Sequence, residues 1–147
     1  MSKLNRSDLN ALATSLISMR ISFLEHGRSM VQGWDCFGLF LYVMEKLGLD
    51  LPDFDYSGKW VSEGKNLLAL HYYKFADQIT KENIIQGDIV FMCTDPDHPE
   101  VANHIGVILS FGRFLHMTKE GVRVERLAGP PHCRRIDSFY RMKGLPA

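Results

Sequence analysis

The sequence predicts an α+β domain in which N-terminal helices pack on a central antiparallel β-sheet. Three observations point there. Apolar residues recur at helical spacing across residues 9–19 and again across 39–47. Beyond Gly87 the pattern changes to short apolar runs of strand length, separated by glycine-containing turns. No linker, internal repeat or low-complexity stretch divides the two halves, so residues 1–147 read as one domain with a single core.

Each element has its own signal. Ser7 can cap a first helix, with Leu9, Leu12, Leu16 and Met19 as its inner stripe and an end between Met19 and Gly27. Residues 27–33 read as a loop. Asp35 is a good N-cap for a second helix. Leu39, Phe40, Val43, Met44 and Leu47 form its inner face, and Gly48 stops it. Residues 51–56 are turn-rich, and residues 60–76 are expected to hold another helix with Leu67, Leu68, His71 and Phe75 inward. Gly87-Asp88 breaks the chain before a buried strand, Ile89 to Met92, and residues 95–99 form a loop.

The next two strands run from His104 to Leu109 and from Arg113 to Met117, around Ser110-Phe111-Gly112. A three-residue turn pairs Leu109 with Arg113. It then sets His116 opposite Gly106 and His104 opposite Thr118. Side chains alternate along a strand, so both imidazoles project from one face as diagonal neighbours. A two-residue turn would send them to opposite faces. Val122 and Val124 indicate a further strand, residues 129–131 a loop, and residues 134–142 the strand that closes the sheet.

Bulk properties remove several function classes. Hydrophobic residues at 46% and charged residues at 23% fit a globular chain, not a disordered one. Basic and acidic side chains number 17 each, so no bulk charge favours nucleic acid or an anionic membrane. No apolar run approaches membrane-spanning length. The start, MSKLNRSDLN, lacks the apolar stretch of a secretory signal, so synthesis in the cytoplasm is expected, with any action outside the cell needing another route.

The three cysteines, Cys36, Cys93 and Cys133, are too few and too odd for a disulfide framework. Cys93 and Cys133 read as small hydrophobes or surface thiols. Cys36 differs, because it falls in the first turn of the second helix. Unpaired amides and the helix dipole there favour a thiolate, so a depressed thiol pKa is expected. A helix-start cysteine followed by two sheet histidines is the arrangement a thiol hydrolase needs: a nucleophile, a base to take its proton, and a group to orient the base. A metal site built from His98, His104, His116, His132, Cys93 and Cys133 competes, but no CxxC, HxH or HExxH spacing supports it. No nucleophile elbow and no phosphate-binding glycine loop is present.

The runs Asp35-Cys36-Phe37-Gly38-Leu39, Gly87-Asp88-Ile89-Val90-Phe91, His104-Ile105-Gly106-Val107 and Phe114-Leu115-His116 follow one another in order. In them the chain resembles the NlpC-type cysteine peptidases, a papain-like family that cuts bacterial cell-wall peptides. The resemblance covers residues 20 to 126. It implies a papain-like NlpC-type fold and hydrolysis of an amide in peptidoglycan stem peptides, the usual target being the link between γ-D-glutamate and the following diamino acid. It implies that Cys36 attacks, His104 moves the proton, His116 holds the His104 ring, and the Cys36 amide helps bind the oxyanion. Asp35, Phe23, Trp34 and Gly106 are the positions expected near substrate. Neither a metal nor an organic cofactor is implied.

Further details, His26-Gly27-Arg28, Gly33-Trp34-Asp35-Cys36, Gly48-Leu49-Asp50-Leu51-Pro52 and Phe139-Tyr140-Arg141, are similar to the phage-tail branch of that family. They imply tail-tip proteins as partners and a place in the virion tail. Many secreted relatives carry an aromatic hydroxyl upstream of the cysteine, where this chain has Ser22-Phe23. A structural tail-tip protein without activity, an interbacterial wall-degrading toxin and a metal-binding module therefore stay open as alternatives on the sequence.

Overall fold

The computed structural model describes residues 3–56, 58–65 and 74–145. Two helices and a six-stranded antiparallel sheet form its body. Helix α1 is Leu9–Ser18 and buries Leu9, Ala13 and Leu16. Ser7 does not cap it. A single 3-10 turn, Arg6–Asp8, precedes it, with Asn5 and Asp8 forming a capping box. Met19 falls outside the helix and is exposed, because Arg20 adopts a positive φ and turns the chain away.

Residues 27–33 hold more than a loop: strands β1 (Arg28–Ser29) and β2 (Gly33–Trp34) pair as a small ribbon. Helix α2 is Cys36–Lys46. The Asp35 side chain caps it by accepting from the Gly38 amide at 2.8 Å. Its C-terminus closes with Gly48 at φ 90°, the Gly48 amide bonding Glu45 and the Leu49 amide bonding Met44. The helix expected over 60–76 lies largely on residues 66–73, including Leu67, Leu68 and His71, which are outside the described residues. At its two ends the chain forms turns, and Ala76 already belongs to a strand.

The sheet comprises β3 (Ala76–Ile79), β4 (Ile89–Met92), β5 (His104–Ile108), β6 (Arg113–Thr118), β7 (Gly121–Arg126) and β8 (Ile136–Met142). Their spatial order is β3-β8-β4-β5-β6-β7, so the last strand does not close the sheet but inserts between β3 and β4. Strand β4 is buried along its whole length. Its odd-numbered side chains, Ile89 and Phe91, join Ile105, Val107, Leu115 and Met117 in the main core with both helices. Its even-numbered ones, Val90 and Met92, pack with Ile108, Phe114 and Phe139 in a smaller cluster on the opposite face. Helix α2 packs on β5 and β6, and α1 on β7.

Asp88, at the start of β4, is fully buried and held from three sides. Arg141 of β8 makes two bonds of 2.9 Å to its carboxylate, Arg6 lies at 3.6 Å, and the Ile85 amide donates at 2.8 Å. A buried carboxylate is tolerated only when it is paired and hydrogen-bonded, and here it ties the N-terminal 3-10 turn to the C-terminal strand.

Candidate active site

The β5–β6 hairpin sets the site. Val107 pairs with Leu115 and Ile108 with Phe114, and the Leu109 amide bonds the Arg113 carbonyl at 2.8 Å. This is the register of a three-residue turn, in which Phe111 and Gly112 both have positive φ. His104 and His116 consequently share a face, and Nε2 of His104 meets Nδ1 of His116 at 2.7 Å. Nε2 of His116 meets a carboxylate oxygen of Glu125 on β7 at 2.5 Å.

Those contacts dictate where the protons sit. A carboxylate only accepts, so His116 carries its proton on Nε2 and offers a lone pair at Nδ1. His104 then donates from Nε2 and keeps a lone pair at Nδ1. The chain from Glu125 to His104 leaves one basic nitrogen free to take a proton. Burial of His116 lowers its pKa, and Glu125 opposes that effect. Burial by itself would raise Glu125, but the bond from His116 and the nearby imidazoles bring it below the ordinary carboxylate value.

Cys36 enters from the first turn of α2 and shares one cavity of about 570 Å³ with His104, His116 and Glu125. The backbone of Ile105, at the beginning of β5, and that of Cys36 and Phe37 lie near enough to the sulfur to favour its thiolate. The expected depression of the thiol pKa is not found. The three amides act in that direction, but close packing of protein around the sulfur and the neighbouring Asp35 charge push the thiol up to about 12. Burial, with the nearby His116, His132 and Arg135, pushes His104 down to about 3. Both shifts favour a neutral thiol beside a neutral imidazole at rest.

The chemistry available is thus thiol addition to a carbonyl with proton transfer to an imidazole. The NlpC/P60 family model matches residues 23–141 of this sequence. The chain belongs to the NlpC/P60 family. It is 28% identical over 102 residues to the probable endopeptidase YafL of Escherichia coli K12, covering 67% of this chain and 35% of that protein. The chain thus spans about a third of the length of this curated relative. Among solved structures, an NlpC/P60 family protein from Bacillus cereus superposes with a TM-score of 0.72 at 18% identity, over 99% of this chain and 42% of that one. The NlpC/P60 domain of the peptidoglycan hydrolase SagA superposes with a TM-score of 0.60 at 18% identity, over 95% of this chain and all of that domain. The α+β class and the papain-like NlpC-type fold read from the sequence are those of the structure.

Within this NlpC/P60 domain the expected substrate positions separate. Phe23 is 38% exposed and lines the cavity. Trp34 is 1% exposed and stacked against Tyr42, so its indole has no face to offer a ligand. Gly106 does not leave room for a substrate: a Cβ there would stand 2.8 Å from the Phe114 ring, which already fills the space. Asp35 borders the cavity, but its carboxylate is saturated. It accepts from the amides of His26 and Gly38, from Arg28 at 3.1 Å and from the Tyr56 hydroxyl. That set fixes the start of α2 at the edge of the cavity.

The sequence reading missed Glu125, Tyr56 and Arg28. Glu125 was reachable. With Thr118 paired to Gly121, His116 faces Arg123, and Glu125 is the next residue on that face. Tyr56 carried no such signal, since a loop residue is positioned by tertiary packing alone, and Arg28 stood out only within the His26-Gly27-Arg28 run, with nothing to show that it reaches Asp35. Tyr56 brings an aromatic hydroxyl to the cavity from a different segment than Ser22-Phe23, but that hydroxyl donates to Asp35 and accepts from Arg28 at 2.7 Å. Burial and the Asp35 bond raise its pKa. Of the residues weighed as metal ligands, Cys93 lies beside Asp137, Cys133 is exposed, and His98 lies beside Glu100.

Proposed function

We propose that this NlpC/P60 domain is a cysteine peptidase that hydrolyses an amide bond in peptidoglycan stem peptides, the link between γ-D-glutamate and the following diamino acid. The observation that carries the reading is the 2.7 Å contact between His104 and His116 beside Cys36 in one cavity. Family membership and the likeness to YafL support the substrate class.

In the reaction, Sγ of Cys36 bonds to the amide carbon while its proton passes to Nδ1 of His104. The carbonyl oxygen becomes an oxyanion facing the first-turn amides of α2. His104, now an imidazolium, is stabilised through His116 and the Glu125 carboxylate. Collapse of the intermediate breaks the C–N bond, and His104 returns the proton to the leaving amine. Water, deprotonated by the same nitrogen, then releases the acyl group and restores the thiol. Incubation with defined stem peptides and mass measurement of the products tests the proposal. Intact peptides after exposure to folded, reduced protein would reject it.

A phage-tail setting is proposed alongside, with tail-tip proteins as partners and delivery to the wall by the virion. It is supported by the segments around His26, Trp34, Leu49 and Tyr140 noted in the sequence. Proteomics of purified particles tests it, and absence of the protein from them would count against it. One observation favours a second reading, a wall-peptide binder without turnover: Phe23 has no hydroxyl, and the Tyr56 hydroxyl is held by Asp35. Binding of stem peptides without cleavage would select it.

A further inference from the structure

Beyond the cysteine and its base, the cavity carries a second convergence of ligating atoms. His116 from β6, Glu125 from β7 and His132 from the 3-10 turn His132–Arg134 bring one ligand atom each within 4.8 Å of one another. The two imidazoles aim Nε2 at the same carboxylate oxygen, at 2.5 and 3.1 Å. Their ring planes stand at 90°. The three side chains line the cavity, so a small ion can reach them from solvent. His116 is backed by Phe114 on one side and by His104 on the other, which fixes its ring.

We propose that His116, Glu125 and His132 form a binding site for a borderline divalent cation of the zinc class, and that its occupancy switches the peptidase off. Two imidazoles and one carboxylate are a donor set that such a cation accepts, with a water completing the tetrahedron. Tetrahedral ligands about 2.0–2.1 Å from the metal stand about 3.3 Å apart. The present separations, 2.5 and 3.1 Å to the carboxylate oxygen and no more than 4.8 Å between any two ligand atoms, lie around that value, so small side-chain rotations suffice.

The switch follows from proton placement. A metal takes the lone pair of His116 Nε2, so that neutral ring must carry its proton on Nδ1. Nδ1 then donates to His104 Nε2 instead of accepting from it. The His104 proton therefore resides on Nδ1, the nitrogen that must accept the Cys36 proton. In the exchange the Nε2 proton of His116 leaves to water, the Nε2 proton of His104 passes to His116, and water supplies one proton to His104 Nδ1. Both rings stay neutral and the proton count is unchanged. What is lost is the direction of the hydrogen-bond chain, and with it the base.

The inhibitory part rests on the peptidase reading, whereas the binding part does not. Binding is therefore measured on the Cys36→Ala/Cys93→Ala/Cys133→Ala protein, which has neither turnover nor a competing thiol. Titration with zinc chloride by calorimetry, and with cobalt chloride by visible absorption, should show one equivalent bound with a tetrahedral cobalt spectrum. His132→Ala and Glu125→Gln in that background should each weaken binding more than about tenfold, with His132→Gln replacing any variant whose circular dichroism shows misfolding. Absence of binding, or binding that both variants leave intact, overturns the site. In the active protein, zinc should abolish stem-peptide cleavage and chelation should restore it, and His132→Ala should shift the inhibitory zinc concentration upward by the same factor as its binding. Zinc that binds the site yet leaves cleavage unchanged, or accelerates it, overturns the switch while leaving the site standing. Protein that binds zinc but never cleaves refutes the peptidase reading and the switch with it.

Discussion

Glu125→Gln tests the direction of the proton chain most directly. The carboxylate lies 2.5 Å from Nε2 of a His116 ring that is only 5% exposed, and it is itself 33% exposed. In the transition state positive charge develops on His104 and is shared with His116, so the bond to the Glu125 carboxylate joins two opposite charges, which the neutral amide of Gln cannot do. A hydrogen bond to a charged group contributes about 1.5–3 kcal/mol against about 1 for a neutral one. The difference is roughly 0.5–2 kcal/mol, and partial solvent exposure of the carboxylate places it in the lower half of that range. The expected loss in kcat is therefore about two- to eightfold, with KM little changed, since Glu125 acts on the imidazole pair and not on bound substrate. Gln also presents an amide donor that favours a proton on His116 Nδ1. Nitrogen-15 shifts of selectively labelled histidine should show His116 moving from the Nε2–H form toward the Nδ1–H form. A Gln variant with wild-type kcat and unchanged nitrogen shifts would refute the reasoning.

Other perturbations address separate links. Cys36→Ala should abolish stem-peptide cleavage with its circular dichroism intact, whereas Cys93→Ala and Cys133→Ala stay near wild type. Wild-type turnover in Cys36→Ala ends the mechanism. His104→Gln should lose on the order of 10²–10⁴-fold, the usual reach of general acid–base catalysis, while His116→Gln retains more activity than His116→Ala; the reverse order of His104→Gln and His116→Ala contradicts the roles. Burial holds His104 near about 3 instead of the ordinary 6.5. Its lone pair is present above that value and lost below it, so kcat/KM should persist from pH 7 down to 5, and an acidic limb at pH 6.5 would show the ring to be unperturbed. Asp88→Ala should destabilise the fold by about 3–5 kcal/mol in urea unfolding, because Arg141 and Arg6 lose their buried partner, and a loss under 1 kcal/mol would show the pair to be solvated.

How far the sequence reached depended on whether a residue's position follows from local periodicity. The α2 start was legible because Asp35 caps and Gly48 stops, both by local backbone chemistry. The histidine pair was legible because strand parity carries over from a single turn length, and Gly112 suits the positive φ the turn requires there. Three things were not. The insertion of β8 between β3 and β4 is a choice among antiparallel orders that alternation does not distinguish. The Asp35 hub depends on Tyr56, a loop residue twenty-one positions away whose placement comes from packing against Phe37 and Phe54. The thiol pKa was read from the helix dipole alone, whereas the shell of protein around the sulfur, invisible in a local motif, outweighs it.

The place of β8 has a consequence for when this domain becomes competent during synthesis. The helix bearing Cys36 leaves the ribosome before the β5–β6 hairpin, yet β4 keeps a bare edge until residues 136–142 arrive to occupy it. Only then is β3 joined to the rest of the sheet, and only then does Arg141 neutralise Asp88 at the foot of β4. Contacts this distant along the chain form late and slowly. A growing chain therefore carries its thiol and both imidazoles without a complete sheet to hold them until residues 136–142 emerge, when β8 slides between two strands made long before.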